Sequence, residues 1–165
     1  MSRIQKQLSS GSSLSVTVAA VGRGRTDPAQ ILFNQYINRL PWVTRLTEIR
    51  EIRNLSIVER KNKEGLKLFS ALPKNAYIIA LDSTGKVMTS KSFAHLIKTS
   101  SENGIRDLGF IIGGPDGLEP SLINRANLIL SFGSMTWPHM MVRAMLAEQL
   151  WRSASIISGH PYHRE

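Results

Sequence analysis

AYIIALDSTGKVMTSKSFAHLIKTSSENGIRDLGFIIGGPDG, residues 76–117, decides the fold class. It opens on a short apolar run at 76–81, followed by Asp82 and a Ser-Thr-Gly turn. Phe93, Leu96 and Ile97 then recur at helical spacing, and Asn103-Gly104 closes that segment. A second apolar run, 108–112, leads into Gly113-Gly114-Pro115-Asp116-Gly117. A strand that reads as continuous apolar sequence is covered on both faces, which is the habit of parallel sheets. Two such runs on either side of a helix predict an α/β domain with a mainly parallel sheet flanked by helices.

The flanking sequence extends the alternation. Upstream, residues 14–21 alternate Leu14, Val16, Val18 and Ala20 as a strand does, and Gly22-Arg23-Gly24 ends it. Asp27 and Pro28 mark a helix start with proline at its first position; Leu32, Phe33, Tyr36, Ile37 and Leu40 form its apolar face, and Pro41 stops it. Residues 45–52 read as a more polar strand near a sheet edge, and 56–72 as a helix that tolerates Gly65. Downstream, Leu122, Ile123 and Ala126 suggest a short helix, 128–132 a fifth strand, and 139–157 a long helix. That last helix is apolar on more than one face, through Met140, Met141, Ala144, Met145, Ala147, Leu150, Trp151 and Ala154. It needs cover on several sides, from its own chain or from a second subunit. Residues 1–13, serine-rich and without periodicity, read as a flexible arm, and 14–165 as one domain.

Composition narrows the function classes. The 165 residues carry 21 Lys+Arg against 12 Asp+Glu, a net charge of +9 and a pI near 10.4. Such an excess favours a polyanionic partner, nucleic acid before membrane, through release of its counterions. No apolar run is long enough to span a bilayer, and the N-terminus lacks the apolar core of a secretory signal. The absence of cysteine excludes disulfides and thiolate chemistry and fits a cytoplasmic location.

Familiar motifs fail one by one. Gly22-x-Gly24 follows a strand, but Asp27 occupies the third glycine position of a dinucleotide fingerprint and would face the pyrophosphate. No phosphate-binding GxxxxGK[ST] occurs, and Ser134 lacks the frame of a hydrolase elbow. His160 and His163 offer two imidazoles with only His95 and His139 elsewhere, too few for an expected metal site. Two loops at strand ends remain, where parallel sheets bind ligands. Gly113-Gly114 either admits a ligand close to the backbone or merely turns the chain. The loop Phe132-Gly133-Ser134-Met135-Thr136-Trp137-Pro138 carries no charge, which suits a neutral base and a sulfonium better than phosphate.

FIIGGPDGL (110–118), LSFGSMTWPHMMVRAMLAEQLWRS (130–153) and GHPYHRE (159–165) together resemble the ribosomal RNA large subunit methyltransferase H family of the SPOUT superfamily. The resemblance runs from about residue 14 to the C-terminus. It implies a single-domain SPOUT-type α/β fold with a C-terminal trefoil knot, a homodimer, and S-adenosyl-L-methionine as methyl donor. It further implies methylation of N3 of a pseudouridine in a 23S rRNA stem-loop within the ribosome. By position in the motifs, cofactor contacts would come from Leu81, Gly113, Phe132, Gly133, Ser134, Met135, Thr136 and Trp137. Another RNA substrate, or RNA binding without catalysis, are the alternatives.

The chemistry of that reaction assigns the remaining expectations. The imide N3–H must lose its proton before or during attack, and positive charge would stabilise the imidate. Arg143, Arg152 and Arg164 are candidates for that role or for holding phosphate. His139, Tyr162 and His163 could accept a proton or stack on a flipped base, with Glu148 a weaker base. Arg143, Tyr162, His163 and Arg164 are thus the expected catalytic set, and His139, Arg152 and His160 the expected substrate contacts.

Overall fold

The computed structural model describes residues 14–162; the arm expected over 1–13 and the site candidates His163 and Arg164 lie outside the described residues. Five strands, β1 (Ser15–Val21), β2 (Val43–Ile49), β3 (Tyr77–Val87), β4 (Asp107–Ile112) and β5 (Leu128–Ser131), form one sheet in the order β2-β1-β4-β3-β5. Every pairing is parallel. The expected edge position of the polar second strand is observed. Because parallel strands need crossovers, all the loops that follow strands gather at one edge.

The crossovers are α1 (Pro28–Ile37), α2 (Ile57–Ser70), α3 (Ser90–Glu102) and the single turn α4 (Pro120–Ile123), and α5 (His139–Ser158) follows the last strand. Their starts follow from local chemistry. The Asp27 carboxylate accepts the Ala29 N–H at 2.8 Å ahead of Pro28. Ser56 and Glu59 exchange hydrogen bonds in a capping box, and Thr89 caps α3. Alternate strand residues then sort the core into two layers. Val16, Val18, Ile79, Phe110 and Leu130 pack with Phe33, Phe93, Ile97, Leu146 and Leu150 of α1, α3 and α5. Ala19, Val21, Ala80 and Ile111 meet Leu68 of α2 and Ile123 of α4 on the other face.

Three expectations need correction. The Asp82-Ser83-Thr84-Gly85 segment does not end the third strand: β3 resumes pairing with β5 at Lys86 and Val87 after a bulge. Gly85 makes this possible, since a side chain there would come within 2.7 Å of the Ile129 backbone. Leu32 is not a core residue of α1 but stands 41% exposed. Most of α5 is covered by its own chain, packed on α1, α3 and the sheet, so a subunit interface can use only its outward residues such as Met141.

Arg143 holds the carboxyl edge together. Its guanidinium is fully buried, with 0% exposure. Nη2 donates to the carbonyls of Val21 and Gly22 at 2.8 Å each, and Nη1 to Gln30 Oε1 at 3.0 Å and Glu48 Oε1 at 2.8 Å. One side chain of α5 thereby ties the end of β1, α1 and β2. Removing one member of a buried ion pair strands the other. Arg143→Met should therefore lower stability by about 3 kcal/mol, the low end because Glu48 keeps some contact with water. Urea unfolding followed by tryptophan fluorescence checks this; an unchanged midpoint contradicts it.

Candidate functional site at the carboxyl edge of the sheet

Three strand ends converge on a cavity of about 170 Å³. Leu81 stands where β3 bulges, Gly113 follows β4, and Phe132, Gly133, Met135, Thr136 and Trp137 follow β5; all line it. Ser134, expected with them, is exposed and is not among the lining residues. Asp82, Ser83 and Pro115 also line the cavity, and sequence reasoning missed them, although each sits beside a strand end. The walls include no Lys or Arg. Met135 and Trp137 are 70% and 39% exposed, large apolar groups left open to solvent where a ligand could cover them. Gly133 adopts φ +114 while the Ser131 hydroxyl bonds both its N–H and its carbonyl.

Gly113 is required by the packing of its own turn. Its φ is not positive; a Cβ there would lie 2.7 Å from the Gly117 backbone. The glycine lets the GGPDG turn fold back on the strand end, and that turn forms part of the wall. Arg60 of α2 fastens the same turn through an ion pair with Asp116. Gly113→Ala should therefore displace the loop, so that cofactor affinity and melting temperature fall together in paired calorimetric measurements. Lost affinity with unchanged melting would mean direct ligand contact is the whole reason for the glycine.

His139 opens α5 and completes one wall. Its Nε2 lies 3.0 Å from where a Gly22 side chain would stand, so the φ +98 glycine makes room for the ring. Burial first, and the Arg143 charge second, lower its pKa. Arg143 itself departs from expectation. Fully buried and bonded on four sides, it cannot reach a substrate, so it acts as a structural cation beneath the site.

The expected tail residues gather elsewhere on α5. Glu148 accepts from Arg152 Nε at 2.9 Å and from the Tyr162 hydroxyl at 3.3 Å. The Tyr162 hydroxyl also meets Tyr36 at 3.4 Å, and its ring lies 5.8 Å from that of Trp151 and 5.2 Å from the Arg152 guanidinium. His160 stacks edge-on against Trp151 at 5.7 Å. Burial, then the Tyr36 and Glu148 contacts, raise the Tyr162 phenol well above its usual range. Tyr36 and Glu148 border a second cavity, about 440 Å³, with Leu32, Val87 and Met141. Leu130, Ser131, Phe132 and Gly133 line both cavities, so the two share a wall.

A lowered histidine pKa has a defined sign. The unfolded chain binds a proton that folded His139 refuses, so stability rises with pH between the folded pKa and about 6.5 and is flat above it. His139→Gln should remove that slope, measured by urea unfolding across the acidic range, and an NMR titration should find the wild-type ring neutral at pH 7.

Comparison with known proteins places this arrangement. Residues 14–163 match a family model described as "Predicted SPOUT methyltransferase". A protein of Paramagnetospirillum magneticum named ribosomal RNA large subunit methyltransferase H is 48% identical over 147 residues, covering 89% of this chain and 97% of the relative. A relative of the same name from Rhodospirillum centenum is 45% identical, with the same coverage. Among solved structures, a probable methylase family protein from Haemophilus influenzae superposes with a TM-score of 0.56 over 93% of this chain and 71% of its own, at 8% identity. That last likeness concerns the fold alone.

Proposed function

We propose, from the premise that this chain belongs to the SPOUT methyltransferase family and to the ribosomal RNA large subunit methyltransferase H proteins within it, a specific substrate atom, donor and assembly for its reaction. The chain is a methyltransferase of large-subunit ribosomal RNA. The proposed acceptor is N3 of a pseudouridine in a 23S rRNA stem-loop, presented by the assembled ribosome in the cytoplasm. The proposed donor is S-adenosyl-L-methionine, and the proposed active form is a homodimer. No helix among the described residues is long and apolar enough to cross a membrane.

The single observation that carries the donor assignment is the charge of the cavity. A sulfonium is repelled by neighbouring cations, and the walls have none, while Asp82 supplies the one carboxylate. The open faces of Met135 and Trp137 suit a neutral aromatic base. Leu81, Gly113, Phe132, Gly133, Met135, Thr136 and Trp137 would hold the donor, with Ser134 at the outer rim of the loop. The bound donor supplies an electrophilic methyl group for in-line displacement. The chain's task is alignment, which carries a large share of the barrier in such transfers.

His139, neutral by environment, borders the donor cavity and is proposed to contact the incoming base. The Glu148, Arg152 and Tyr162 cluster with His160 is proposed to engage the substrate, joined by His163 and Arg164. It borders the larger cavity, whose outer apolar surface of Leu32, Val87 and Met141 is a suitable seat for a second subunit. Since that cavity shares the wall at Phe132 and Gly133 with the donor site, one subunit's tail would come beside the partner's donor.

Mass spectrometry of 23S rRNA from a deletion strain, before and after complementation, tests the substrate. The methyl group should vanish and return on one pseudouridine; an unmodified pseudouridine in the complemented strain refutes the assignment. Deleting residues 162–165 should slow single-turnover methylation of ribosomes by about a hundredfold or more while sparing dimerisation and donor binding. Wild-type rates from the truncated enzyme would make the tail a bystander.

A further inference from the structure

The loops that follow β1 and β2 are not used by the donor cavity, yet they leave the sheet at the same edge. Arg23 and Arg25 lie on the first, Arg50 and Arg53 on the second, and all four are exposed. None of the four has an acidic partner among the described residues. The nearby carboxylates are mostly committed elsewhere. Glu48 accepts from Arg143 and from the Gly24 N–H at 2.7 Å, Glu64 from the Ile52 N–H at 2.8 Å, and Asp27 caps α1. Glu51 alone stands among these arginines without such a bond, and its charge is felt by His139.

The two loops are built rather than loose. The Gly22 N–H donates to the Ile49 carbonyl at 2.8 Å, which holds the strand ends side by side. Arg143 grips the Gly22 carbonyl, Glu48 the Gly24 N–H, and buried Glu64 the Ile52 N–H. Positive φ at a residue other than glycine occurs only at Arg25 (φ 29) and Asn54 (φ 62) among the described residues, one in each loop. Asparagine tolerates that region; arginine does not, so the surroundings impose it at Arg25. His139 joins the pair of loops to the donor cavity, since its ring contacts the Gly22 position and lines the cavity wall.

We propose that loops 22–25 and 50–54 form a preorganised phosphate clamp that holds the rRNA backbone next to the donor cavity. Arginine forks match phosphate oxygens in bidentate geometry, and a fixed loop loses less entropy on binding than a free one. The backbone would cross the β2–β1 side of the carboxyl edge while the target base turns past His139 towards β4, β3 and β5. This clamp rests on the rRNA reading above.

The test compares two pairs of charge removals. Arg50→Gln with Arg53→Gln removes the charge of one of the clamp's two loops. Lys74→Gln with Arg106→Gln removes the same charge at the opposite edge, just before β3 and β4. Binding to transcribed 23S rRNA is measured against salt concentration, alongside methylation of isolated large ribosomal subunits. The clamp variant should raise the KM for subunits about tenfold and flatten the salt dependence of rRNA binding by about one unit of slope per lost contact, with donor affinity and melting temperature retained. The opposite-edge variant should match wild type. Equal effects from both pairs, or an unaltered salt slope in the clamp variant, overturn the proposal. Should wild type bind rRNA but methylate no subunit, the substrate reading fails, and the salt slopes still decide the clamp.

Discussion

A guanidinium sealed inside the protein is the constraint on which the rest of this site depends. Burying an uncompensated cation is prohibitive, so Arg143 must find acceptors, and the chain supplies two carbonyls, an amide oxygen and a carboxylate. Those acceptors come from β1, α1 and β2, while the arginine comes from α5. The network therefore ties four elements to one another through a single side chain. It also determines where His139 sits, four residues earlier on the same helix, and why that imidazole resists protonation. Its own Nε finds no partner, which shows how far the geometry favours the two terminal nitrogens.

Parallel topology turns that local network into a functional edge. Five strands pointing one way deliver the Gly22, Arg50, Asp82, Gly113 and Phe132 segments to the same end of the sheet. Two glycines then decide how closely those segments approach. Gly22 yields space to His139, and Gly113 yields space to the turn at Gly117. Both shape the walls, so substitution there acts on the scaffold and the site at once.

Much of this was legible in the chain itself. The apolar runs at 76–81 and 108–112 announced buried parallel strands, Asp27-Pro28 and Ser56-x-x-Glu59 announced helix starts, and the polar 45–52 segment announced an edge. The residues expected to contact a cofactor, apart from Ser134, do converge on one cavity. What failed was anything depending on direction. Reaction chemistry put Arg143 among the expected catalytic residues as a cation within the 130–153 motif, whereas its acceptors lie over ninety residues away in sequence. The Asp82–Gly85 bulge was read as a strand end because local turn chemistry is the same in both; only pairing with β5 distinguishes them.

The proposed donor and the proposed clamp would bring two ligands of opposite charge to close quarters, and the distribution of side chains fits that demand. A sulfonium needs walls without cations; an RNA backbone needs cations without walls. The cavity after β3, β4 and β5 is neutral apart from Asp82, while the exposed arginines follow β1 and β2 on the other half of the same edge. Between them stands His139, which would belong to the cationic half if protonated and to the neutral half if not. Burial and the Arg143 charge hold it neutral. The boundary between the two halves thus falls at His139, where burial chiefly, and the Arg143 charge beneath it second, disfavour a proton.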